Sequence, residues 1–177
     1  MRPRDSQKSK VYKAENAAFP TGSDSNSNPD LFYWECYCRK IVRSAWFRKR
    51  WPNCIVVSLK DGRGRKNASA TSRGSGGTLK LPLWARVESV VLHELAHVIT
   101  PKICASHGRE FCRNLLELIG HYMGADASRK LKKEFDNRNV KWRKKKELSL
   151  EQREALSERG KKLAENFVAA KKKQNEE

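Results

Sequence analysis

LWARVESVVLHELAHVI, residues 83 to 99, decides how this chain folds. The stretch is apolar on most faces and stops at Pro101, which predicts a helix buried in the core. Inside it stand His93-Glu94-Leu95-Ala96-His97. Four residues advance a helix by about 400°, so the two imidazoles share one face, a turn apart, where both can ligate one ion. Imidazole nitrogen suits zinc (Zn2+), whose catalytic sites keep three protein ligands and one open position. Glu94 then has a defined role. Beside the first histidine, it can take a proton from an activated water as general base and pass it to a leaving amine. Chance supplies this pattern in roughly 0.7% of chains of this composition. Two histidines and a glutamate buried without such a purpose would cost about 1 to 3 kcal/mol for each unpaired group.

Four residues downstream can supply a third ligand: His107, Glu110, Glu117 and His121. On a continuous helix His107 lies about 15 Å from Glu117 and about 21 Å from His121, so at most one of those three reaches the ion. Glu117 follows His97 by twenty residues, a spacing that resembles the thermolysin-type enzymes with a glutamate ligand. His107 is followed by Gly108, which permits close approach of the next helix, and by Phe111, an anchor for the core.

Working outward, residues 31 to 50 carry Trp34, Cys38, Ile41, Val42, Ala45 and Trp46 at helical spacing and predict one amphipathic helix ending before Pro52. Residues 54 to 59, 66 to 72 and 78 to 81 are short and β-prone, with glycines between them, and predict a small antiparallel sheet. A helix is expected over residues 107 to 123, with Phe111, Leu115, Leu118 and Tyr122 as its stripe and Gly124 at its end. Asp126 is expected to cap the next, which carries Leu131 and Phe135. Ser149 and Gln152 have the capping-box spacing ahead of a last, highly charged helix bearing Leu156, Leu163 and Phe167. The fold class expected is α+β, with residues 1–30 as a basic arm and linker, 31–140 as the catalytic domain and 141–177 as a basic helical tail.

The 177 residues, with 38 Lys and Arg against 20 Asp and Glu, carry a net charge of +18, and 38% hydrophobic content with five Trp supports a core. Wholly disordered chains are excluded by that content. The charge is uneven. Residues 81 to 124 set Arg86, Lys102, Arg109 and Arg113 against Glu88, Glu94, Glu110 and Glu117 and net zero, while residues 39 to 50 hold six basic residues and no acid. Basic flanks around a neutral centre suit non-specific nucleic acid as well as solubility. No apolar run reaches the roughly 18 residues of a membrane span, and the polar start has no signal-peptide centre, so a cytoplasmic protein without membrane contact is expected. Five irregularly spaced cysteines predict reduced thiols.

The pentapeptide together with Ser106-His107-Gly108-Arg109-Glu110-Phe111 resembles the SprT-like and Spartan zinc metallopeptidases, whose pattern is H-E-x-x-H, a short loop, then H-G-x-x-F. The chain also resembles a family of metallohydrolases predicted in actinobacteria and their phages. Arg4-Asp5-Ser6-Gln7, Ser44-Ala45-Trp46-Phe47, Asp61-Gly62-Arg63-Gly64-Arg65 and Leu81-Pro82-Leu83-Trp84-Ala85-Arg86 carry that second likeness, over roughly residues 4 to 140. The resemblance implies a zincin-like domain with an HExxH active-site helix and a supporting helix, His93, His97 and His107 as metal ligands, Glu94 as the base, and a protein or peptide substrate, including proteins held on DNA. The paired C-x-x-C of a zinc ribbon, frequent in bacterial relatives, is missing. By the same analogy the strand at residues 78 to 81 would be an edge that binds the substrate peptide by strand addition. The contrasting expectation is a nucleic-acid-binding protein whose zinc is structural or inactive.

Other groupings receive plainer readings. Cys36 and Cys38 point to different helix faces and predict one surface and one core thiol. Cys104 and Cys112 flank His107 and are read as packed, reduced thiols. Gly62-Arg63-Gly64-Arg65 reads as a basic hairpin loop. Trp46, Phe47 and Trp51 among Arg43, Arg48, Lys49 and Arg50 could stack on bases, with Trp46 expected in the core.

Overall fold

Val11, Ala14 and Ala18 recur at intervals of three and four, and this narrow apolar stripe folds the polar start of the chain into α1 (Lys8–Ala18) in the computed structural model. The structure describes residues 3–20, 27–143 and 149–174. Val11 and Ala14 are buried in the core, so this segment is not the basic arm that its composition suggests. The described residues up to 143 form one compact unit and those from 149 onward another. Part of the loop expected over residues 21 to 30 lies outside the described residues. Ser27 forms an isolated bridge with Val87.

Asp30 opens α2 (Leu31–Arg43), its carboxylate accepting from the Phe32 amide at 2.9 Å, and Trp34, Cys38, Ile41 and Val42 are buried. The single helix expected to residue 50 is broken at Ser44, which is extended (ψ 143°). Its hydroxyl caps the next helix, α3 (Ala45–Arg50), by accepting from the Phe47 amide at 3.2 Å. Serine competes for backbone donors in this way and so favours helix starts over interiors. The break rotates the stripe: Phe47 is buried, whereas Trp46, expected in the core, is half-buried.

Three strands follow, β1 (Val56–Asp61), β2 (Ser69–Arg73) and β3 (Gly76–Leu81), in the order β1-β3-β2. β2 pairs antiparallel with β3, Ser69 opposite Lys80, but β1 pairs parallel with β3, Val56 opposite Gly76. The sheet is therefore mixed, not antiparallel throughout. The two-residue connection after Arg73 makes β2 and β3 neighbours, and the longer passage from β1 crosses over to leave β3 in the centre. Gly62-Arg63-Gly64-Arg65 belongs to that crossover and not to a hairpin. Leu79 and Leu81 of β3 are buried against the helices, and Thr78 on the other face meets the Ser58 hydroxyl at 2.9 Å.

The stretch from residue 83 to residue 99 divides at Arg86. A 3-10 turn (Leu83–Ala85) comes first, Val87 is extended (φ −130°, ψ 150°), and α4 (Glu88–Ile99) then runs through the core. At Gly77 a Cβ would stand 2.5 Å from the Thr71 carbonyl oxygen and 2.7 Å from a Val98 methyl, so only glycine lets β3 lie this close to α4. The supporting helix is α5 (Arg109–Tyr122), with Phe111, Leu115 and Leu118 buried as expected and Tyr122 half-buried. Gly124, at φ +96°, turns the chain into α6 (Ala125–Asn137) and occupies its cap position. Asp126, expected there, lies in the first turn and pairs with Arg129. Leu131 and Phe135 are buried, and α6 packs on α1 and α5.

In the second unit, Ser149 and Gln152 form the expected capping box at the start of α7 (Leu150–Gln174): each backbone N–H donates to the other side chain at 3.2 Å. Leu156 and Leu163 are exposed within this unit, and the Phe167 side chain is outside the described ones. No helix among the described residues is long and apolar enough to cross a membrane.

Candidate metal centre

α4 presents His93 and His97 one turn apart, and the loop from Thr100 to Gly108 brings His107 to them. One nitrogen from each ring lies within 4.8 Å of the others. His93 Nε2 and His97 Nε2 are 3.1 Å apart, and among the described residues the buried His107 Nε2 has no hydrogen-bond partner. Phe111 packs against all three rings at 4.4 to 5.0 Å between centroids. Asn114 of α5 donates to the Thr100 hydroxyl, which itself donates to the Ala96 carbonyl, tying the supporting helix to the end of α4. Gly108 approaches Ala105 of its own loop, not α4 as its size suggested, and His107 precedes α5 instead of lying on it.

The other three candidates go elsewhere. Glu117 is exposed and pairs with Arg50 at 3.2 Å, Glu110 pairs with Arg113, and His121 stacks on Trp46. Cys104 stands outside the group of ligand atoms, while buried Cys112 bonds the His107 carbonyl at 3.7 Å. Cys36 is exposed and Cys38 buried, as helical spacing predicts.

Two carboxylates that sequence reading missed complete the centre. Glu15 Oε1 is 2.7 Å from His93 Nδ1, and Asp5 Oδ2 is 2.6 Å from His107 Nδ1. A carboxylate on the far ring nitrogen fixes the tautomer and turns the other nitrogen toward a metal. Gln7 holds the segment in place, donating to the His107 and Lys141 carbonyls at 2.7 and 3.1 Å and accepting from the Lys141 amide. The available signals were the run Arg4-Asp5-Ser6-Gln7 and the faint stripe of α1, both masked by surrounding lysines.

Burial works against charge on His93, but the adjoining Glu15 carboxylate and Glu94 outweigh it and raise its pKa. His107 moves the other way, because burial lowers its pKa more than the Asp5 bond restores it. The Glu94 carboxyl is raised, first by burial and further by Glu15, with His93 opposing. Glu94 is 4% exposed, and its Oε2 has no hydrogen-bond partner among the described residues. Three converging imidazoles, an unpartnered buried ring nitrogen and a carboxylate behind two of the rings fit a metal ion that prefers nitrogen donors.

A cleft of about 430 Å³ opens over Glu94, His97 and His107, walled by α1 through Tyr12 and Lys8 and by β2. β2 is an outer strand of the sheet, whereas β3, expected to be the edge, is its centre. A second concavity of about 570 Å³ lies over α3, α5 and α6. There Trp46 is sandwiched: His121 lies on one face at 3.9 Å and 3° between planes, and the Arg50 guanidinium is 4.4 Å from the ring centroid. Trp142, Arg113, Arg129 and Lys132 also line it.

Comparison with known proteins finds no matching family model, no matching curated protein and no matching solved structure.

Proposed function

We propose that this chain is a zinc-dependent metallopeptidase of the SprT-like kind, built on a zincin-like domain. The observation that carries the reading is the triangle of His93, His97 and His107, the first and last of them buried, beside a glutamate with one carboxylate oxygen that has no hydrogen-bond partner among the described residues. A purely structural metal site needs the ligands but has no use for Glu94. Three imidazoles favour zinc over the hard cations that take oxygen.

When bound, the metal would polarise the scissile carbonyl and make water more acidic. Glu94 would accept the proton of the attacking water and return it to the amine as the peptide bond breaks. Asp5 and Glu15 would hold the ligand rings in one tautomer, and Gln7 would hold Asp5 near His107. The free side of β2 offers backbone groups to an extended peptide lying across the cleft.

Metal analysis of the purified protein and hydrolysis of casein by wild type and Glu94→Gln test the reading. The expected result is one zinc per chain in both proteins, with turnover in the variant lower by a factor of about 100 to 10,000. Unchanged turnover in Glu94→Gln would remove the proposed mechanism.

A second reading, nucleic-acid binding, is favoured by Arg50, Arg113, Arg129 and Lys132 gathered around the concavity that Trp46 and Trp142 line. Aromatic faces beside guanidinium groups are the usual means of holding single strands without base readout. The two readings are compatible, since a peptidase could act on proteins held on DNA. Anisotropy with a labelled oligonucleotide at several salt concentrations tests the second, and absence of binding at low salt would reject it.

A further inference from the structure

Peptide hydrolysis collects negative charge on the carbonyl oxygen, and neither the histidines nor Glu94 is a hydrogen-bond donor suited to receive it. The wall of the cleft contains one. Tyr12 lies on α1, a turn beyond Lys8 and just before Glu15. Its ring is nearly parallel to that of His93, 5.3 Å between centroids and 19° between planes, and 5.1 Å from that of His107. The Lys8 ammonium, 5.8 Å from the ring centroid, adds a further contact. The residue is 40% exposed and lines the same cleft as Glu94 and His97. Among the described residues its hydroxyl makes no hydrogen bond.

Other donors in the cleft are less well prepared. The Thr100 hydroxyl is buried and already spent on the Ala96 carbonyl. Lys8 and Lys102 carry their charges on long, flexible side chains, which must be ordered at each turnover. A phenol pinned against two ligand rings is held in place before substrate arrives, and preorganisation is what makes such donors effective.

Resting on the peptidase reading, we infer that the Tyr12 hydroxyl donates a hydrogen bond to the oxygen of the scissile carbonyl, which makes Tyr12 a catalytic residue of this site. In the step, the oxygen of water bonds to the carbonyl carbon and one proton of the water goes to Glu94. The carbon–nitrogen bond then breaks, its electron pair goes to nitrogen, and nitrogen takes that proton from Glu94. The product carboxylic acid releases the other proton of the water. Tyr12 keeps its own proton throughout and strengthens its bond as the oxygen becomes negative.

Tyr12→Phe removes the oxygen and keeps the stacked ring. With a fluorogenic peptide drawn from casein cleavage products, the variant is expected to keep wild-type zinc content and KM and to lose about 100- to 1,000-fold in kcat. Calorimetry with a phosphonamidate peptide, whose tetrahedral anion imitates the charged carbonyl, should show a comparable loss of affinity. Wild-type kcat and analogue affinity in Tyr12→Phe overturn the proposal. So does loss of zinc from that variant, which would make the tyrosine a support of the centre, and so does a kcat loss found in Lys102→Met instead. Glu94→Gln separates the two levels. If it abolishes hydrolysis while Tyr12→Phe does not, only the role of Tyr12 fails; if it leaves hydrolysis intact, the peptidase reading fails and this inference falls with it.

Discussion

α5 is bounded by two histidines in opposite surroundings. His107, just ahead of its first turn, is 3% exposed, is bonded through Nδ1 to Asp5, and has no hydrogen-bond partner at Nε2 among the described residues. His121, in the last turn, is exposed and lies flat on Trp46. The glutamates of the helix follow the second pattern, since Glu110 and Glu117 are surface ion pairs with Arg113 and Arg50. Ligand-competent residue types are thus present along the whole helix, and what separates one end from the other is burial together with a carboxylate behind the ring. The metal end brings in acids from α1 and the segment before it, whereas the far end gathers arginines around tryptophan.

The sharpest way to break this contrast is to delete each histidine in turn. His107→Ala should abolish or severely weaken metal binding, while His121→Ala and Glu117→Ala keep the wild-type metal content, measured by elemental analysis after dialysis. Retention of metal by His107→Ala with loss from Glu117→Ala would assign the centre to the wrong part of α5. A smaller effect sharpens the role of the acids. Asp5→Asn and Glu15→Gln should each lower metal affinity about 10- to 100-fold in chelator competition, because the ligands remain but their orientation and basicity change.

The far end should respond independently. Trp46→Ala should weaken binding of a single-stranded oligonucleotide, because it frees the Arg50 guanidinium and the His121 ring that the indole holds at the concavity, and leave metal content unchanged. Equal binding by the variant would mean that the flanking charges alone hold the strand. The smallest effect expected is in Ser44→Ala, which removes the cap of the helix carrying Trp46. Urea denaturation should show a loss of about 1 kcal/mol, with the metal site intact in the folded protein.

Much of the fold was legible because it depends on short intervals. The one-turn spacing of His93 and His97, the stripe of Phe111, Leu115 and Leu118, and the reciprocal cap of Ser149 and Gln152 are all set within two turns of chain. Errors arose where a local pattern met a local competitor. Ser44 stopped a stripe that the apolar spacing alone would have continued, and the extended Val87 shortened the buried helix to its last 12 residues. The strands were visible as β-prone segments, but their order was not, since the same three segments could pair in more than one way and only the crossover before β2 places β3 in the middle.

By itself, the sequence determined the α+β class, the buried helix and two imidazoles on one of its faces, because each follows from periodicity that the backbone imposes over a few residues. His107 was implied as the third member by motif resemblance, and the tertiary structure brings it, and not Glu110, Glu117 or His121, to the other two; only that structure decided that the polar start of the chain joins them and that β2 borders the cleft. Those outcomes rest on contacts between distant positions: Glu15 meets His93 across 78 residues, and Asp5 meets His107 across 102. A buried polar atom takes its partner from whatever the packed chain brings near, and no local spacing encodes which residue that will be.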